Sequence, residues 1–316
     1  MKRLFFSVDV HGSTGLWRKW LSVPSFHKTD VLMLLGDLTG KMIVPLIRQP
    51  DGTYILRYWR REFHLKTEEE IREAEERLEN SGLYPMRMDP EMVEHLKENP
   101  SEVEKLIKEN ILERIRKWMD LILEKVDLKK TEVYVMPGND DIEEVDDIIK
   151  SYEDRGIKWP LGNVVEIEGH EMISCEYVNP TPWNTPRELP EPELKKHLKS
   201  LIEKLSNPSN SIFNFHCPPY NTKLDLAPQL DKKLKPVTVG GQVKFVHVGS
   251  KAVRELELEY QPVLGLHGHI HESGALDKLG KTMIINPGSE YEAGVLRGYI
   301  IEIDKEGVKN YYRVEG

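Results

Sequence analysis

A chain of 316 residues with 39% hydrophobic and 31% charged side chains can fill a large core, which excludes a disordered tail and a membrane bundle. Its 53 acids against 44 bases leave a net charge of −9, which argues against broad attraction to polyphosphate, so nucleic acid is a disfavoured partner. Two cysteines, Cys175 and Cys217, suit a reducing, cytoplasmic setting, no apolar run approaches the roughly 20 residues that cross a bilayer, and scarce Gln beside many Lys and Glu leans towards a thermophile.

The N-terminus starts like a signal peptide, but Asp9 comes too soon and no small-residue cleavage site follows, so Leu4 to Val8 reads as a first strand. Val31 to Leu35 is a second, and the Trp-containing segment between them suits a helix. Met42 to Leu65 reads as a β-hairpin turning at Pro50-Asp51-Gly52. Glu68 to Val126 reads as almost entirely helical, with Val103, Ile107, Ile111, Ile115, Trp118, Ile122 and Val126 forming one apolar stripe, either core or a subunit interface. A homo-oligomer through this helical insertion is therefore an open partner. About 100 residues separate Asp37 from Asn139 where a crossover needs about a dozen. The expectation is a single domain, 1–316, with a cap inserted at about 42–100 and Ser101 to Val126 as the crossover helix.

Thr131 to Met136, Val164 to Glu176, Ser211 to Phe215 and Pro262 to Leu266 are further strands, Glu191 to Leu205 is a helix, and Asn179 to Pro192 is a Pro-stiffened loop. From Thr282 the helices stop and Gly-punctuated strands run to the end, as expected if a second sheet packs on the first. The class is α/β.

Five segments at the ends of apolar runs carry oxygen or imidazole donors: Asp9-Val10-His11, Gly36-Asp37, Gly138-Asn139-Asp140-Asp141, Phe215-His216-Cys217 and His267-Gly268-His269-Ile270-His271. On extended chain a spacing of two puts Asp9 with His11, and His269 with His271, on one side, where each pair can chelate an ion. Cys217, next to His216, would point away. In open α/β sheets ligands gather beyond the carboxyl ends of strands, where all five segments fall.

In order and residue type these segments resemble the calcineurin-like metallophosphoesterase superfamily, with the pattern D-x-H, G-D, G-N-H-[DE], H, G-H-x-H, and the likeness extends to Asn286-Pro287-Gly288-Ser289. The resemblance implies a four-layer α-β-β-α sandwich with two mixed sheets and two metal ions. Asp9, His11 and His271 would bind the first ion, Asn139, His216 and His269 the second, and Asp37 both. A nitrogen and oxygen donor set suits Mn, Fe, Zn, Co or Ni. Two such ions attract phosphate and acidify water, making a bridging hydroxide the natural nucleophile for attack on a small phosphate ester, with Asn139 helping to hold an oxygen. A catalytically weak metal-binding scaffold of the same fold and a nuclease are the alternatives.

The chain departs from the pattern at Asp140, which stands where many members have His. An ordinary Asp is only about 0.1% protonated at pH 7 and makes a poor proton donor. Either the leaving group needs little protonation or another acid substitutes, with His27, His170 and His247 as candidates; alternatively Asp140 caps a helix beginning near Asp141. Lesser signals are the mixture of Arg48, Arg57, Arg60, Arg61 and Lys66 with Tyr54, Tyr58 and Trp59, which suits an anion clamp or an amphipathic ribbon. Trp183 suits stacking or burial, Tyr220 a reach to substrate, and Gly249-Ser250 a phosphate-binding helix entry or an ordinary N-cap.

Overall fold

The computed structural model describes residues 1–316. β1 (Lys2–Ser7) leads through α1 (Thr14–His27) to β2 (Val31–Leu35), which lies parallel to it with Leu4 opposite Val31. Ser13 opens α1 by accepting from the Leu16 N–H at 3.2 Å, and Lys28 closes it in a left-handed conformation.

Between β2 and the next strand of the same sheet stands a small unit. β3 (Ile43–Arg48), β4 (Tyr54–Tyr58) and β5 (Arg61–Leu65) form an antiparallel meander. α2 (Glu68–Asn80) then returns the chain as β6 (Tyr84–Met88), parallel to β3. A single hairpin followed by continuous helix is corrected on both counts. The second turn, at Trp59 and Arg60 with φ of 50° and 60°, has no Gly or Asn to mark it. β6 carries Pro85 and Arg87 and buries only its end residues, Tyr84 and Met88, so it lacks strand alternation. A Thr67–Glu70 capping box opens α2.

α3 (Pro90–Glu98) and α4 (Pro100–Lys125) each start on a proline, whose missing N–H costs nothing there. α4 is the crossover helix, and its buried Trp118 stacks on Trp17 of α1 with ring centroids 4.3 Å apart. It delivers the chain to β7 (Glu132–Met136), followed by α5 (Glu144–Lys150) and β8 (Ile157–Lys158).

The second sheet begins with β9 (Val165–Ile167) and β10 (His170–Cys175). The single strand expected over Val164 to Glu176 is instead this hairpin, turning on Glu168 and Gly169 at positive φ. After α6 (Glu191–Ile202) and β11 (Ile212–Phe215) comes an arm made of β12 (Leu226–Pro228), β13 (Thr238–Val239), β14 (Gln242–Val243) and β15 (Phe245–His247). α7 (Lys251–Tyr260), β16 (Leu264–Leu266), β17 (Ala275–Leu279), β18 (Thr282–Asn286), β19 (Arg297–Asp304) and β20 (Gly307–Glu315) complete the chain.

The two mixed sheets have orders β20-β19-β1-β2-β7-β8 and β17-β18-β16-β11-β10-β9. The terminal strands therefore divide between them: β18 belongs to the second sheet, while β19 returns antiparallel to β1. Phe5 and Leu34 share one core with Ile212 and Ile285, so the sheets face each other. α1, α4 and α5 cover the outer side of the first, and Leu198 of α6 and Leu256 of α7 cover Phe213 and Phe215 of the second. The result is the four-layer α-β-β-α sandwich. Its architecture sets the carboxyl ends of β1, β2, β7, β11 and β16 along one edge.

Candidate metal centre

Each donor side chain lies just past the end of a buried strand, in backbone that has left the extended region. Asp9, His11, Asp37 and His269 have φ of 56°, 41°, 44° and 67°, left-handed values that cost a non-Gly residue about 1 kcal/mol or more each. The pairs Asp9/His11 and His269/His271 thus converge through left-handed loops, which corrects the expectation of strand alternation. Close approach explains two glycines: a Cβ on Gly36 would sit 2.1 Å from His216 Nδ1, and one on Gly138 would sit 2.3 Å from the Asp37 backbone nitrogen.

Asp9, His11, Asp37 and His271 each bring one donor atom within 4.8 Å of the others, and Asp37, His216 and His269 do the same. Asp37 belongs to both groups. His11 Nε2 and His271 Nε2 are 3.0 Å apart, and His216 Nε2 lies 3.6 Å from Asp9 Oδ1 and 3.5 Å from Asp37 Oδ2. Asp9 Oδ1, Asn139 Oδ1 and both ring nitrogens of His216 are buried without a hydrogen-bond partner. Buried polar atoms without partners cost about 1–3 kcal/mol each, and Asp9 Oδ1 and His216 Nε2 meet beside Asp37 at a point that a cation would fill. The donor set fits divalent metal ions.

Electrostatics separates the donors. Burial pushes Asp9 up to about 7, whereas Asp37, despite its burial, is held well below the usual carboxylate range by His216 and His11. Burial holds His269 down to about 4 and His271 to about 3, leaving both imidazoles neutral and ready to ligate. Burial opposes charge on His216 too, but Asp37 and Asp9 raise it to about 9. To hold a metal ion near neutral pH, His216 would therefore have to give up a proton, and below about pH 7 Asp9 would as well. Metal affinity is expected to rise about tenfold per pH unit for each proton displaced, up to about pH 9. Calorimetry in buffers of different ionisation enthalpy reads this release, and affinity that is flat from pH 6.5 to 8.5 would contradict it.

A second layer of contacts orients the donors. The His269 N–H donates to Asp9 Oδ2 at 3.0 Å, and the Asp140 N–H donates to Asp37 Oδ1 at 2.9 Å. Asn286 Nδ2 donates to the carbonyls of Gly268 and Ile270 on either side of His269, and Ser289 Oγ donates to the Asp9 carbonyl at 2.6 Å, which gives Asn286-Pro287-Gly288-Ser289 its physical role. Arg114 of α4, buried and missed in the sequence, donates to the Gly12 carbonyl at 2.9 Å and so holds the loop behind His11.

Asn139 Nδ2 donates to Thr185 Oγ1 at 2.8 Å, and Thr185 Oγ1 donates to Glu188 Oε1 at 2.7 Å. Because a carboxylate only accepts, the Thr185 hydroxyl directs its proton to Glu188 and accepts from Asn139, which leaves Asn139 Oδ1 buried and unpartnered. The T-x-x-E spacing of 185 to 188 was the available sequence signal. Thr185→Val is expected to weaken the metal site that includes Asn139 by about 10–100-fold, and Thr185→Ser to restore it. Metal titration decides; equal affinity in Thr185→Val would contradict the relay.

Asp140 pairs with Lys41 at the rim, 3.9 Å from His11 Nδ1, and burial with the nearby Asp37 raises its carboxyl above the usual range. α5 starts only at Glu144, so the capping role considered for Asp140 is corrected. The structural residue of that segment is Asp141, fully buried and braced by four donors.

A cavity of about 950 Å³ opens over the centre, lined by His11, Asp37, Lys41, Asn139, Asp140, His269 and His271 at its floor and by residues 179–185 and the 227–248 arm at its walls. The Arg48 to Lys66 cluster does not reach it: Arg57 pairs with Glu62, and Trp59 projects into solvent. Trp183 does line it and is exposed. Tyr220 packs against His247 and is absent from the lining. Ser250 is an N-cap, and the Glu191 carboxylate already accepts the Lys251 and Ala252 N–H groups, so that helix entry holds an internal anion. Nor do the alternative acids reach the cavity. His170 sits between the carbonyls of Asn210 and Asp304, His247 pairs with Asp225, and His27 ends α1. Cys217 donates to Asn179 Oδ1, away from the donors.

No family model matches the chain. An uncharacterized protein of Methanocaldococcus jannaschii, MJ1162, is 35% identical over 162 residues, covering 49% of this chain. The match spans 63% of that relative's length. Among solved structures, TT1561 of Thermus thermophilus aligns over 100% of this chain and 98% of its own with a TM-score of 0.52 at 13% identity. Another crystal structure aligns over 99% and 98% with a TM-score of 0.55 at 15% identity. These likenesses show a shared fold.

Proposed function

We propose that this chain is a calcineurin-like metallophosphoesterase that hydrolyses a phosphodiester or small organic phosphate at a dinuclear metal centre. The observation that carries this reading is the pair of buried, partnerless donor atoms on Asp9 and His216 converging with Asp37 beneath a large cavity that Asn139 also lines. Asp9, His11 and His271 would hold one ion, Asn139, His216 and His269 the other, and Asp37 both. Two divalent ions of the Mn, Fe, Zn, Co or Ni kind would supply charge for phosphate oxygens and acidify water there.

The chain's own groups do the rest. Asn139, its amide fixed by Thr185, would present an oxygen to the centre. Lys41 balances Asp140 at the rim, which removes the net repulsion an unpaired carboxylate would exert on phosphate. Burial and Asp37 raise the Asp140 carboxyl while Lys41 opposes its protonation, and esters whose leaving groups need little protonation make the least demand on it.

Metal analysis combined with turnover of an activated bis-aryl phosphodiester tests the proposal. Hydrolysis that depends on added divalent ion is the expected result. Two bound ions with no turnover across several metals would favour a metal-binding scaffold instead.

A further inference from the structure

The walls of the cavity differ from its floor. Trp183, Pro180 and Pro182 come from the loop after β10, and Leu230, Leu234 and Val246 from the arm. These two segments are remote in sequence and belong to neither sheet, yet they enclose the space directly above His11, Asn139 and His271. Lys41 is the sole Lys or Arg of the lining and is already paired with Asp140, while Glu272 and Glu292 add negative charge at the walls.

Trp183 is 61% exposed and Leu234 47% exposed, large apolar surfaces left in water beside the centre. The Trp183 loop is nonetheless organised. Glu188 accepts from the N–H and hydroxyl of both Thr181 and Thr185, and the Trp183 N–H donates to Thr181 Oγ1 at 3.2 Å. The indole is therefore carried on the same hydrogen-bonded loop that orients Asn139.

We propose that these walls are a subsite for a bulky, uncharged, aromatic or strongly apolar group of the ester, so that the substrate carries a single phosphate on a large apolar body. Within the cavity lining a polyanion such as a nucleoside triphosphate meets no cation besides the paired Lys41 and faces two carboxylates, the arm's Lys232, Lys233, Lys235 and Lys244 standing outside the lining, whereas a flat apolar group gains contact with Trp183 and loses water. The proposal rests on the phosphoesterase reading for where phosphate sits, and its test separates the two.

With metal-loaded protein, the ratio of kcat/KM for 1-naphthyl over phenyl esters, offered both as monoesters and as methyl diesters, is expected to be about tenfold or more. Trp183→Ala and Leu234→Glu, both at exposed positions that tolerate substitution, are each expected to bring that ratio close to one. Binding of naphthyl and phenyl phosphonates by calorimetry, compared with ATP as competitor, reads the same preference without turnover. A ratio near one in the unaltered protein, equal loss on both esters in Trp183→Ala, or ATP as the tighter competitor would overturn the subsite. Preferential binding of the naphthyl phosphonate with no hydrolysis of any ester would sustain the subsite and sink the phosphoesterase reading.

Discussion

Replacing Asp37 by alanine is expected to remove both metal ions and to lower metal-dependent hydrolysis by about three orders of magnitude or more. Asp37 is the one carboxylate shared by the two donor groups, and it stands 3.5 Å from His216 and 3.7 Å from His11. Its loss leaves the first group with a single carboxylate, Asp9, and the second with no carboxylate at all, so neither ion retains enough negative charge to offset its own. The variant should keep its secondary structure, because Asp37 lies in a loop beyond β2 and not in the core. Metal counting and circular dichroism on the same sample check both halves. Two ions retained with full activity would refute the shared role.

Asp141→Ala is expected to act through the scaffold. The Asp141 carboxylate accepts from the Leu38 N–H at 2.9 Å, the Thr39 N–H at 2.8 Å, the Thr39 hydroxyl at 2.6 Å and the Gly138 N–H at 2.8 Å. It ties the loop carrying Asp37 to the loop carrying Asn139. Alanine strands three buried N–H groups, and at about 1–3 kcal/mol for each orphaned group a loss of about 3 kcal/mol or more in stability follows. Denaturant unfolding of the metal-free protein measures it, and metal affinity should fall in parallel as the two loops separate. Asp141→Asn, with one acceptor oxygen in place of two, should lie between. Stability within about 0.5 kcal/mol of the unaltered protein would show that the brace is not needed.

Much of the fold, and the clustering of Asp9, His11, Asp37, His216, His269 and His271, was legible because both rest on strong local signals. Val31 to Leu35 is a fully buried parallel strand and reads as a plain apolar run, and Asp and His at strand ends have few structural reasons to recur in that order. What escaped was set by backbone geometry and by distant segments. The left-handed φ of Asp9, His11, Asp37 and His269 follows from the crossing of loops, and no residue type at those positions announces it. Glu168-Gly169 and Trp59-Arg60 turn the chain inside what reads as continuous strand. Asp141 reads as an ordinary acid before a helix, because only the folded chain brings Leu38, Thr39 and Gly138 to it. The cavity walls join residues 179–185 to the arm near 227–248, a pairing that no periodicity encodes.

Anomalous diffraction from crystals of the protein loaded with manganese or zinc tests the proposed dinuclear centre directly. Two peaks about 3.5–4 Å apart are predicted, one among Asp9, His11, Asp37 and His271 and the other among Asp37, Asn139, His216 and His269. A map with no peak at these residues under saturating metal, or with ions held elsewhere on the chain, would contradict it.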